Sequence, residues 1–131
     1  MPVLQSGGEG DGRCYMIKCI ALYRRPDRPE EFDEAYFASH LPLVLKTPGL
    51  LRVEVARAGQ LLIPGFLAEN EPHLIAEMYF ESEDAMNRAF GSPEWQAGGA
   101  NLSEIGAAEL ISLFTAEVLQ SGAVVDGVAE R

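Results

Sequence analysis

Apolar residues fill both faces of residues 15–23 (YMIKCIALY) and stop at Arg24-Arg25-Pro26, the pattern of a central strand. The next stretch changes period. Pro29 suits a first helical turn, and Glu30, Glu31, Asp33 and Glu34 crowd the positive end of the helix dipole. Phe32, Tyr36, Ser39 or His40, and Leu43 then recur at helical spacing as an inward stripe. Pro42 interrupts it: it leaves the carbonyl of Ala38 without a donor and pushes against it, so the helix should kink or restart there. Thr47-Pro48-Gly49 ends the segment. Leu51, Val53 and Val55 alternate with Arg52, Glu54 and Ala56, the period of a half-buried strand. Residues 73–80 (HLIAEMYF) form a third strand. Ser82 caps a short helix that buries Ala85, Met86, Ala89 and Phe90 and ends at Gly91. Ser92-Pro93-Glu94 opens another short helix, and residues 109–118 (ELISLFTAEV) are the last strand.

The order strand, helix, two strands, helical segment, strand is the split βαβ arrangement. It predicts an α+β, ferredoxin-like βαββαβ domain, a four-stranded antiparallel sheet with its helices on one face. The other face mixes apolar and charged positions, which favours pairing of two sheets in a homodimer. Residues 1–14, rich in Gly and charge, read as a flexible leader; 15–119 form the domain; 120–131 are a tail that Val124 and Val125 could dock. The loop between the second and third strands is long and apolar over residues 61–68, so it should cover something, either as a lid on a pocket or as a clasp on a partner chain.

Composition narrows the function. At 131 residues there is room for one domain, and a net charge of −10 argues against nucleic-acid partners and anionic membrane surfaces. No apolar run is long enough to span a bilayer and no secretion signal is visible, so the cytoplasm is the expected compartment. If Cys14 and Cys19 both sit on the first strand, their odd spacing points them to opposite faces, which disfavours a disulfide between them, and two cysteines are too few for a disulfide framework or a zinc site. A phosphate loop, a dinucleotide fingerprint and a nucleophile elbow are all missing, so no cofactor and no metal is indicated.

His40 is the first candidate for chemistry. It sits on or beside the inward stripe where Pro42 breaks the helix, and its ordinary pKa suits proton transfer. Alternatively it only bonds a carbonyl freed by the break. Tyr36, one turn earlier, either reaches the same pocket or is core. Glu77 lies in an otherwise apolar strand. It pairs with Lys18 across the sheet or, as a buried acid, faces His40. Trp95 packs over a pocket mouth or into the core, and His73, at a strand start after Pro72, reads as exposed.

The motifs MIK-x-x-ALY-x-RP, EEF-x-x-x-Y, H-x-P-L and PGL, followed more loosely by IAEMYFES-x-x-A and SPEW, resemble the EthD family within the dimeric α+β barrel superfamily. The resemblance implies a dimer whose two sheets close into a barrel, with a small-molecule cavity between sheet and helices in each protomer. Several such relatives are cofactor-free enzymes acting on lactones, polyketides or quinols. The family histidine corresponds to His40, as an acid or base, while Tyr36, Trp95 and Asn101 become substrate-contact candidates. Where relatives often carry an acid followed by an aromatic, this chain has Asn101-Leu102, so a proton relay is either lacking or uses Glu77. A non-catalytic ligand carrier and, more weakly, a haem-handling barrel are the other functions the resemblance allows.

Overall fold

The computed structural model describes residues 17–122, together with the backbone at 124–125 and 128–129. The leader, Cys14 and the side chains of Val124 and Val125 lie outside the described residues.

Strands β1 (Ile17–Arg24), β2 (Leu50–Arg57), β3 (Pro72–Phe80) and β4 (Ile111–Glu117) form one sheet in the order β2-β3-β1-β4. Every neighbouring pair is antiparallel. Helices α1 (Pro29–Ala35) and α2 (Leu41–Val44) follow β1, and α3 (Glu83–Phe90) and α4 (Pro93–Glu104) follow β3. This is the ferredoxin-like arrangement read from the chain. Val124–Val125 (β5) and Val128–Ala129 (β6) pair with each other in a separate ladder.

Side-chain alternation sorts the sheet. Cys19, Ala21 and Tyr23 of β1 and Leu74, Ala76, Met78 and Phe80 of β3 are buried in the core, with Val53 and Val55 of β2 packed against it. Burial pushes the free Cys19 thiol up to about 11, so it is an inert core group. Phe32 of α1 and Tyr36 just after it pack on Tyr23, with ring centroids 5.5 Å away in each case.

The helix starts are capped as the sequence suggests. Ser82 Oγ accepts from the Ala85 N–H and Ser92 Oγ from the Trp95 N–H, both at 3.1 Å. Helix α4 is longer than expected, running 12 residues to Glu104 through Gly98 and Gly99. Two glycines oppose a helix by about 1 kcal/mol each, and the docking of Trp95 and Leu102 against the core offsets that. The last strand begins later than expected, because Gly106 (φ 74°) and the turn after it occupy the chain up to Leu110.

His73 corrects its expectation. It is buried rather than exposed, because Asp33 of α1 reaches its Nε2 at 2.7 Å and Phe32 meets its ring edge-on. The same carboxylate takes Arg57 at 2.6 Å, tying α1 to the ends of β2 and β3.

Candidate functional site

The helix interrupted by Pro42 makes the site. Between α1 and α2 the chain takes a wide π turn over Tyr36–His40, and the Leu41 N–H reaches back to the Tyr36 carbonyl. Pro42 has no N–H to give Ala38, and the wider turn absorbs the mismatch before α2 restarts. Tyr36 and His40 both face inward, with ring centroids 5.4 Å apart.

Helix α4 makes its close backbone approaches to this segment and to α3. Beneath it lies a cavity of about 70 Å³. Ala21, Ala76 and Met78 form its floor on the sheet, and Val44, Leu102 and Ile111 its sides. Exposed Glu94, Gly99 and Leu113 mark where it meets solvent. A Cβ added at Gly98 or Gly99 meets nothing within 4 Å, so the glycines leave room that no protein atom fills.

His40 lines this cavity and is 5% exposed. Its Nδ1 lies 3.1 Å from Asn101 Oδ1. The amide group of Asn101 is committed elsewhere: Nδ2 donates to Ser39 Oγ at 2.9 Å and to Glu104 Oε1 at 2.8 Å. A carboxylate accepts only, so the amide must present its NH₂ to Glu104 and its oxygen to His40. Nδ1 therefore carries the imidazole proton, and Nε2 keeps its lone pair. Among the described residues Nε2 has no hydrogen-bond partner. Burial pushes the His40 pKa below 6.5, and the Asn101 bond opposes this only in part. The ring is thus neutral at pH 7, an acceptor facing an apolar space.

The other candidates divide. Tyr36 lines the cavity, and burial pushes its phenol up to about 12, so it serves as a neutral hydroxyl. Trp95 also lines it, half-buried and packed on Phe90 with centroids 4.7 Å apart. Asn101 touches His40 rather than the cavity. Glu77 does not face His40. It lies between Ala76 and Met78, which point at the helices, so alternation sends it through the opposite face. There it pairs with Lys18 at 2.7 Å and accepts from the Tyr79 hydroxyl at 3.3 Å.

The lid reading of the long loop also fails. No residue of 61–68 lines the cavity, and Leu62, Ile63 and Phe66 stand in solvent, Phe66 at 95% exposure. Tyr23, Thr47 and the two glycines line the cavity without having been singled out as site residues. Glu104 was missed too, although its spacing of three from Asn101 on a helix is a legible signal. Among the described residues no three or more His, Cys, Asp or Glu side chains are grouped to hold a metal ion.

A four-stranded antiparallel sheet with its helices on one face, and a helix broken at a histidine that lines an apolar cavity, define the class: a ferredoxin-like α+β domain. Comparison with known proteins gives the family. The EthD domain family model matches residues 25–103, and the chain belongs to the EthD family. An uncharacterized 11.0 kDa protein from the thcB-thcC intergenic region of Rhodococcus erythropolis is 32% identical over 104 residues, 78% of this chain and 95% of that protein. The crystal structure of an EthD family protein from Bacillus halodurans superposes with a TM-score of 0.69 at 33% identity, covering 79% of this chain and 99% of that one. SnoaB, a cofactor-independent oxygenase from Streptomyces nogalater, shares the fold at a TM-score of 0.55 and 16% identity, over 85% of this chain and 98% of that one.

Proposed function

We propose that this EthD protein is a cofactor-independent enzyme of a catabolic or secondary-metabolic pathway, in which His40 Nε2 takes a proton from a small, mostly apolar, oxygenated substrate. The observation that carries the reading is the Asn101–His40 bond, which holds the ring in the tautomer of a base inside an apolar cavity. In the elementary step a substrate C–H or O–H bond breaks and the proton bonds to Nε2. The resulting imidazolium keeps its Nδ1–H on Asn101, whose amide leans on the Glu104 carboxylate. Return of the proton to a second carbon completes an isomerisation with no change in oxidation state.

A panel of β,γ-unsaturated lactones, cyclic diketones and hydroquinols tests this. The lactone arm is read as ultraviolet absorbance when the double bond moves into conjugation. For whichever compound is turned over, His40→Ala is expected to slow the reaction by about 10²–10⁴-fold while the circular dichroism spectrum stays the same. An undiminished rate would sink the proposal.

The working unit in this reading is a homodimer. Ile20, Leu22 and Ile75 lie half-buried on the helix-free sheet face, and Phe114 is 48% exposed there. They adjoin the Lys18–Glu77 pair, with Ile20 directly opposite Glu77 and between it and Phe114. A second sheet laid on that face would bury them and shield the ion pair. Sedimentation equilibrium should return twice the chain mass at micromolar concentration, and a monomer there would refute the pairing.

A further inference from the structure

Thr47 carries a hydroxyl that the fold does not use. The residue is 5% exposed, lines the His40 cavity, and its Oγ1 is the buried side-chain polar atom without a hydrogen-bond partner among the described residues. Its backbone is fully employed. The Thr47 N–H donates to the Val44 carbonyl at 3.0 Å, and the Thr47 carbonyl accepts from Leu50 at 3.4 Å, closing the turn before β2. A valine would make that turn equally well and bury the same volume. Threonine hydroxyls in turns commonly satisfy themselves on nearby backbone; this one does not. A buried hydroxyl left without a partner is unfavourable, and a water or a ligand group in the cavity would relieve it.

We infer that Thr47 is a substrate-binding residue whose hydroxyl donates to the carbonyl oxygen of an enolisable ketone or lactone held in the His40 cavity. The inference rests on the proposed role of His40 for its chemistry, and on the orphaned hydroxyl alone for binding. His40 and Thr47 line one small apolar space with complementary groups: Nε2 accepts, and the Thr47 hydroxyl, which has almost no accessible surface as it stands, donates once a turn about its Cα–Cβ bond brings it into the cavity. When the C–H bond next to a carbonyl breaks and its proton goes to Nε2, the electron pair moves onto the carbonyl oxygen. Negative charge then builds where Thr47 can donate, in a site with little water to compete. The cavity's size and its floor of Ala21, Ala76 and Met78 favour a compact, uncharged ring over an extended or ionic ligand.

Cyclopentanone and methylenecyclopentane have nearly the same shape but differ in the oxygen, which makes them suitable probes. Binding of each is titrated by two-dimensional NMR on the full chain, as wild type, Thr47→Val and Thr47→Ser. The ratio of the two affinities should fall about tenfold in Thr47→Val, the loss of one neutral hydrogen bond, and return in Thr47→Ser. The melting temperature of Thr47→Val should not drop, because no bond within the protein is lost. Three results would overturn the inference: an unchanged affinity ratio in Thr47→Val, a lower melting temperature that shows a structural bond, or no saturable binding of either probe to the wild type. Binding is read without turnover, so failure here is distinct from failure of His40 as the base.

Discussion

Gly98→Leu should raise the melting temperature and abolish ligand binding at the same time. Gly98 is buried within α4, has no left-handed backbone angle to require glycine, and faces open space where its Cβ would be. In an exposed helix the exchange alone contributes about 0.7 kcal/mol through propensity. Here the isobutyl group also enters an apolar cavity, and each methylene that leaves water adds about 0.8 kcal/mol. A gain of about 1–2 kcal/mol in all corresponds to several degrees in a domain of this size. The same side chain occupies the room a substrate needs, so cyclopentanone titration should show no saturation. A lower melting temperature with binding intact would mean that the space beneath α4 is neither empty nor the ligand site. Stability and function move in opposite directions only if the glycines are kept for the cavity.

Asn101→Asp should have the second large effect. A carboxylate in place of the amide would face the Nδ1–H of His40 at about the distance of the present bond, 3.1 Å. Opposite charge at that range raises a histidine pKa by about one to three units, reversing the depression that burial imposes. The sign follows for activity. A base works only when unprotonated, so the wild-type rate should hold down to below pH 6.5 and fall under the lowered pKa. In the variant the fall begins at correspondingly higher pH, while the alkaline plateau holds or rises because the base is stronger. Stability shows the same linkage. In the wild type the unfolded chain binds a proton at His40 near pH 6.5 before the folded protein does, so stability is full above that pH and is lost as pH falls toward the folded value. The carboxylate should remove that acid loss. Long-range ¹H–¹⁵N NMR of the His40 ring across pH reads both the tautomer and the pKa. An unmoved pKa would show that residue 101 does not govern the ring.

Much of this was legible in the chain, for reasons that can be assigned. The four strands follow from period and flanking turns, and the sheet order follows from the split βαβ topology. The placement of His40 followed from Pro42, since a missing N–H is a local fact. The contact with Asn101 was not legible from spacing, because it joins residues 61 apart in sequence that only packing brings together. The position of Glu77 could have been read. Its neighbours Ala76 and Met78 are the apolar members of the alternation, so an acid between them belongs to the other face. Burial of His73 depended on where α1 carries Asp33. The Thr47 hydroxyl left no sequence signal, because a threonine before Pro-Gly looks like turn chemistry until its partner is sought.

The wide turn at Tyr36–His40 ties the site to chain length as well as to residue identity. An ordinary helix would need one residue fewer there. A deletion between Tyr36 and Pro42 would improve the local hydrogen bonding and rotate Tyr36 by about 100° away from His40. Local helix preference and the pocket therefore favour different lengths, and among relatives that keep the histidine, insertions and deletions should avoid these five positions.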